Sequence, residues 1–157
     1  MPPLLGVDER VAAELQLVRQ LMPHHAKEEP TRQLLLQRIR NRIIEYLELA
    51  SSFEAQREYQ QVAPVHVPNE VINQWEDWVQ ARRDPAFAEP VFSRPEQEAV
   101  AAFYGVWQQV AADTPDPLPQ LETLQATAEW QRLRSAAVVA LAVFAARGRL
   151  SEEEELE

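Results

Sequence analysis

The pattern of apolar positions is most continuous near the end of the chain. Within residues 130–147, positions 136–146 contain no polar side chain, so a helix over positions 136–146 would be apolar on every face. Such a helix is typical of one enclosed by its neighbours. The pattern therefore predicts a core helix that begins after Thr127, as its N-cap, and ends at Gly148.

Upstream of this helix, apolar residues recur every three or four positions in further segments, which we interpret as amphipathic helices. One begins at Asp8, one is capped by Asn69, and one follows the capping box that starts at Ser93. Alternating β-branched residues are almost absent, and the twelve prolines fall mostly between the periodic segments. The sequence therefore predicts an all-α, single-domain bundle of five or six helices around the apolar C-terminal helix. The stripes are Val11, Leu15, Val18 and Met22; Val71, Trp75, Trp78 and Val79; and Val100, Phe103, Trp107 and Val110.

One further periodic segment is unusually long, from a cap at Thr31 to about Gln61. A straight helix of that length would span about 46 Å. A compact domain of this size is only about 40 Å across. We therefore expect the helix either to kink at Ser51 and Ser52 or to project and offer its end to a partner, including a second copy of the chain.

Length and composition predict one domain, residues 1–150, followed by an acidic tail, residues 151–157. The chain has 157 residues, of which 46% are hydrophobic, and this is enough for one core. Five of the last seven residues are acids. They could add a frayed turn capped by Ser151, but their mutual repulsion favours disorder or a solvated tail. The absence of cysteine, of a signal sequence and of a long apolar run favours a cytoplasmic protein without a membrane span.

Charge restricts the classes of partner. The formal net charge is -10, which disfavours nucleic acid because phosphate binding requires clustered cations. A basic protein is the more natural partner. Within this acidic chain, Arg32, Arg38, Arg40 and Arg42 form a local basic cluster on the expected outer face of the long helix. They predict either an anion site or, more commonly, an i,i+3 pair of Arg42 with Glu45 and contacts of the arginines with acids on other helices.

Four further features of the sequence suggest a catalytic, metal-binding or ligand-binding role, and each also has a structural explanation. Glu76 and Asp77 are neighbours on a helix and point apart, so they favour a solvated acidic face over a catalytic pair. His24, His25, Glu28 and Glu29 have a metal-binding composition, but their spacing favours a solvated loop. The helical tryptophan pair Trp75 and Trp78 predicts core packing. Gly105 predicts close helix packing or, as the alternative, a ligand-sized gap.

These observations together favour a protein that binds another protein rather than an enzyme. The sequence contains no nucleophile elbow, phosphate-binding glycine loop or zinc-binding helix, so no catalytic residue, cofactor or metal is assigned. A stoichiometric inhibitor or immunity-type protein that binds a basic target fits the acidic charge. Candidate contacts are Arg38, Arg40, Arg42, Glu76 and Asp77. The alternative is a small-molecule-binding protein or enzyme with a pocket between helices, near Tyr104, Gly105 and the arginine cluster.

Overall fold

A computed structural model of the chain describes residues 29–79 and 87–157. Within these two ranges every regular element is an α-helix, which confirms the predicted all-α bundle. The chain divides into two compact units, Met1–Thr31 and Arg32–Glu157, and all the described helices belong to the second. The helix predicted from Asp8, and His24, His25 and Glu28, lie outside the described residues. The helices are α1 (Arg32–Ala50), α2 (Phe53–Val62), α3 (Val67–Val79), α4 (Arg94–Asp113), α5 (Leu121–Gln125) and α6 (Ala128–Ala145).

The long periodic segment is broken into α1 and α2 at the two serines. The hydroxyl of Ser52 accepts a hydrogen bond of 3.0 Å from the backbone N–H of Ala55, so this residue is the N-cap of α2. Ser51 closes the end of α1 through its N–H, which donates to Leu47 at 2.9 Å. The predicted break is confirmed. The segment therefore does not form one straight helix from Thr31 to Gln61. Self-association through this segment stays a prediction.

Helix α3 begins two residues before the predicted cap. Its first residues are Val67 and Pro68, and the N–H groups of Asn69 and Glu70 both donate to the carbonyl of His66. Proline is tolerated in a first turn because the N–H groups there have no partner inside the helix. The prediction treated Pro68 as a helix breaker, whereas it occupies the first turn.

The two caps predicted near the end of the chain are confirmed. The Ser93 hydroxyl accepts from the N–H of Glu96 at 3.3 Å, and the Glu96 carboxylate accepts from the N–H of Ser93 at 3.1 Å. Thr127 caps α6 by accepting from the N–H of Trp130. Beyond α6, Gly148 has a φ of 72°, the left-handed conformation in which glycine ends a helix.

The core is built around aromatic rings from three helices. Trp75 of α3 lies between Tyr46 of α1 and Phe103 of α4, with ring centroids 5.4 Å and 4.6 Å away. Trp75 is fully buried, and Trp78 is half-buried against the same core. The core interpretation of the tryptophan pair is therefore confirmed. These edge and tilted contacts are the arrangements that aromatic side chains favour.

Helix α6 is the centre of the packing, although it is not enclosed. It packs mainly against α4 and α1, and its buried face carries large residues such as Trp130 and Phe144. On the opposite face, however, Val138 is 51% exposed and Val139 is 69% exposed. The prediction of a helix buried on every side is wrong. Two neighbouring helices cover only part of the circumference, and valine and alanine are small enough to remain on the open part.

None of the helices in residues 29–79 and 87–157 combines the length and hydropathy needed to cross a bilayer.

Candidate functional site

The predicted arginine cluster is divided between the surface and the core. Arg38 donates from Nε to the backbone carbonyl of Glu152 at 2.9 Å, and Arg42 pairs with the Glu152 carboxylate. Arg42 also lies 3.4 Å from Glu45, so the predicted i,i+3 pair is confirmed. These two arginines therefore interact with acidic residues or the backbone of their own chain, as the commoner interpretation of the cluster expected.

Arg40 contradicts its predicted place on the outer face, because it is fully buried. Its Nε and NH2 groups donate to the two oxygens of Glu96, at 3.0 Å and 2.9 Å, and NH1 donates to the carbonyl of Gly148. Arg40 lies directly after the buried Ile39 on α1, and in this position its side chain faces α4 rather than solvent. Arg40 is therefore inaccessible to a partner.

A second arginine completes this buried network. Arg147 donates to both oxygens of Glu96, at 2.5 Å and 3.1 Å, and to the carbonyls of Pro90 and Val91. Burial alone would raise the pKa of Glu96, but the hydrogen bonds from Arg40 and Arg147 outweigh it and hold the pKa below its ordinary value. Glu96 is therefore ionised and has both oxygens occupied, which fits a structural role and not a general acid.

The pKa of a second buried group is also shifted. Burial raises the pKa of Tyr46 well above its ordinary value, so the phenol stays protonated. Its hydroxyl donates to the carbonyl of Val71 at 2.7 Å, which joins α1 to α3. This hydrogen bond gives Tyr46 the same kind of structural role as Glu96.

Glu76 and Asp77 lie on the exposed surface of α3. The solvated acidic face expected from the sequence is present, and both carboxylates are accessible to a partner. Trp75, the residue before them, points into the core instead.

One of the two exposed valines, Val139, lines an open groove, here called the α4–α6 groove. Its volume is about 360 Å³, and its wall is almost entirely apolar apart from the exposed side chain of Glu98. Val139 lines the groove and is more exposed than a large apolar side chain usually is. An exposed apolar groove with a charged edge is suited to binding another protein. The main lining residues are Glu98, Ala102, Val106, Ala136, Val139 and Val143.

A more polar cavity lies elsewhere, between α2 and the start of α5. It has a volume of about 540 Å³ and is lined by side chains that include Arg57, Gln60, Gln61 and Thr123. Arg57 already donates to Gln125 at 3.1 Å, and Gln60 bonds to the backbone of Val65 and Val67. Two of its polar groups are therefore occupied within the chain.

The alternative hypothesis places a ligand pocket near Tyr104 and Gly105. Tyr104 packs against the rings of Trp75 and Trp107. A Cβ atom built on Gly105 would meet nothing within 4 Å, so the favoured explanation of close packing is wrong. This glycine lies on the open face of α4.

Within residues 29–79 and 87–157, no cluster of histidine, aspartate and glutamate side chains could hold a metal ion. Sequence reasoning missed both the Arg40–Glu96–Arg147 network and the α4–α6 groove. The capping box predicted the contact of Glu96 with Ser93, three positions away, but not its contacts with the two arginines. Comparison of the chain with models of protein families, with curated proteins and with solved structures found no match.

Proposed function

We propose that this protein acts by binding another protein at the α4–α6 groove, and that the partner is basic. The observation that carries the proposal is the 69% exposure of Val139, which lines the groove on a helix whose other face forms the core. Fully burying a valine is worth about 1.5–3 kcal/mol, so a partner that covers Val139 gains a useful part of its affinity from this residue.

The charge of the chain supports a basic partner. The formal net charge is -10, and Glu98 presents a carboxylate at the edge of the groove. Opposite charge speeds the encounter of two proteins and orients them, while the apolar contact limits dissociation. Glu76 and Asp77 add exposed negative charge on α3. A stoichiometric inhibitor or immunity-type protein with a basic target is the specific form of this function that best fits these properties.

The test compares two exposed valines in the full-length chain. Val139→Asp places a charge in the groove, whereas Val62→Asp places the same charge at the end of α2, where the valine is 84% exposed. Proteins retained by immobilised wild-type chain are identified, and each is measured against the wild type and both variants by surface plasmon resonance. We expect Val139→Asp to weaken binding at least about tenfold. We expect Val62→Asp to leave it unchanged.

The dependence of the association rate on salt concentration tests whether the partner is basic. Between about 50 mM and about 500 mM salt the association rate should fall, because screening shortens the range of charge attraction. Dissociation should change much less. Equal binding by the wild type and Val139→Asp would remove the groove from the proposal, and a salt-independent association rate would remove the basic partner.

A small-molecule ligand or substrate is the second candidate, and the cavity between α2 and α5 is the observation that favours it. Its exposed Gln61 and Thr123 have room to contact a ligand. A ligand bound there would raise the unfolding temperature of the wild type and of Val139→Asp equally. Gln61→Trp, which fills the cavity, should abolish that increase. No such ligand in a broad thermal-shift screen would leave protein binding as the supported function.

A further inference from the structure

The C-terminal tail, residues 151–157, does not extend into solvent as its charge predicted. It lies along α1 on a surface here called the tail surface, which consists of side chains from one helix. The members at i, i+4 and i+8 are amides, and the two others are arginines. They are Gln33, Gln37, Arg38, Asn41 and Arg42.

Gln37 is the central contact of the tail surface, and its side chain bonds to the backbone of the tail. Its Nε2 donates to the carbonyls of Ser151 and Glu154, at 2.9 Å and 2.8 Å. Its Oε1 accepts from the N–H of Leu156 at 2.8 Å. One turn earlier, Gln33 donates to the carbonyl of Leu156 at 2.7 Å. Gln37 is fully buried, so its amide is committed to the tail and not to water.

Asn41 repeats the arrangement one turn later. Its Nδ2 donates to the carbonyl of Leu150 at 2.8 Å, and its Oδ1 accepts from the N–H of Leu150 at 3.0 Å. The same Nδ2 lies 3.1 Å from the carboxylate of Glu152, which also pairs with Arg42. Arg38 holds the carbonyl of the same glutamate. The carboxylate of Glu152 is thus bound by a charged side chain of the tail surface.

The chemistry of this surface is that of peptide recognition. Side-chain amides that both donate to and accept from a backbone can bind a non-helical segment through its carbonyl and N–H groups, whatever its side chains. The arginines then add a preference for an acid at one position. The tail forms no helix, and its turn is held by the Ser151 hydroxyl, which accepts from the N–H groups of Glu153 and Glu154. Such a segment can leave the surface without unfolding a helix.

We infer that the tail surface is a peptide-binding site for a turned, non-helical acidic segment of a partner protein, and that the chain's own tail occupies it and controls access. The inference goes beyond protein binding at the α4–α6 groove and shares no residue with it. A tethered tail has an effective concentration of about 1 mM, so a segment in trans must bind better than the tail or act after the tail is withdrawn. A second copy carries the identical tail and gains nothing by exchange. The partner is therefore a different protein.

The experiment uses full-length chains and a fluorescent synthetic peptide with the sequence of residues 150–157. Glu152→Lys with Leu156→Pro weakens the resident tail, because the lysine faces Arg38 and Arg42 and the proline lacks the N–H that Gln37 accepts from. Fluorescence polarisation measures peptide binding, and circular dichroism checks folding. We expect this double variant to bind the peptide at least about tenfold more tightly than the wild type. Adding Gln37→Ala should reverse the gain.

Two control peptides separate recognition from charge attraction. The same peptide with its order reversed keeps the composition and charge but changes the backbone register, and we expect it to bind at least about tenfold more weakly. The peptide carrying Glu152→Lys should lose a similar factor. Equal binding by the wild type and the double variant, or by the forward and reversed peptides, would overturn the inference. A wild-type dimer abolished by either Gln37→Ala or Glu152→Lys would assign the surface to a second copy and overturn the choice of partner.

Discussion

The guanidinium of Arg40 and the carboxylate of Glu96 form a two-point pair between helices, although the residues are 56 positions apart in sequence. Nε lies 3.0 Å from Oε1, NH2 lies 2.9 Å from Oε2, and solvent reaches neither side chain beyond 2% of its surface. Arg147 binds the same carboxylate from the end of α6. One buried anion therefore joins α1, α4 and the segment after α6.

Removing the charge of Glu96 should destabilise the fold strongly. Glu96→Gln leaves Arg40 buried without its counterion, and breaking a buried pair in this way costs about 3–5 kcal/mol. Glutamine can still complete the capping box, so the loss reports the charge pair and not the cap. Urea unfolding followed by circular dichroism measures the difference in free energy. A loss below about 1 kcal/mol would show that Arg40 finds water or another partner.

A matched control separates the net contribution of the Arg40–Glu96 pair to stability from the cost of leaving one partner buried and unpaired. Arg40→Met with Glu96→Met removes both charges and keeps a comparable apolar volume. Replacement of a buried ion pair by apolar residues is often neutral or stabilising, so we expect this double variant to be more stable than Glu96→Gln. The reverse order of stability would show that the hydrogen bonds of Arg40 and Arg147 to backbone carbonyls matter more than the charge.

The lowered pKa of Glu96 also predicts how stability depends on pH. An unfolded glutamate titrates near pH 4.3, about its ordinary value. Because the folded pKa is lower, the stabilisation by ionised Glu96 is complete above the unfolded pKa and is lost as the pH falls through the folded pKa. The difference in unfolding free energy between the wild type and Glu96→Gln should be constant from about pH 6 to about pH 8 and should shrink below about pH 4. A difference that persists unchanged in acid would contradict the assignment.

Local features of the fold could be predicted from the sequence because their partners are close along the chain. The capping box at Ser93, the cap at Thr127 and the break at Ser51 and Ser52 each depend on residues within a few positions. The partners of Arg40 lie on another helix, and no local pattern names them. The exposure of Val139 was missed for a related reason. Hydropathy shows that a helix is apolar all round but does not show how many neighbours cover it.

The tail was mispredicted because its charges were visible in the sequence and its backbone was not. Repulsion among five acids suggests a solvated segment, yet the contacts that hold the tail are mostly to its carbonyl and N–H groups. A signal was present on α1. Gln33, Gln37 and Asn41 recur every four positions, so the sequence places their amides on one face of the helix.

Substitution by alanine should have opposite effects on the free energy of unfolding at Gly105 and at Gly148. Gly105 is helical, exposed and free of nearby atoms, so Gly105→Ala should raise the unfolding free energy by about 0.5–1 kcal/mol through helix propensity. Gly148 has a φ of 72°, so Gly148→Ala should lower it by about 1–2 kcal/mol. Thermal unfolding measures both, with about 2–4 °C for each kcal/mol in a chain of this size. A loss of stability in Gly105→Ala would indicate that this face of α4 is covered.

A carboxylate introduced on α6 should strongly lower stability on the buried face and should change it little on the exposed face. Ala140 is 3% exposed and Val139, its neighbour, is 69% exposed. Ala140→Asp buries an unpaired carboxylate, which costs several kcal/mol and is a large part of the stability of an ordinary domain. Val139→Asp places the carboxylate in water, where a surface change is usually within about 0.5 kcal/mol.

Chemical denaturation of the full-length variants decides between the structure and the enclosed helix that the hydropathy pattern predicted. If α6 were covered on every side, Val139→Asp would unfold the chain as Ala140→Asp does. The structure instead requires Val139→Asp to unfold cooperatively near the wild-type midpoint while Ala140→Asp does not. This outcome is also the condition for the binding test, because lost binding by Val139→Asp can be assigned to the α4–α6 groove only when the variant is folded.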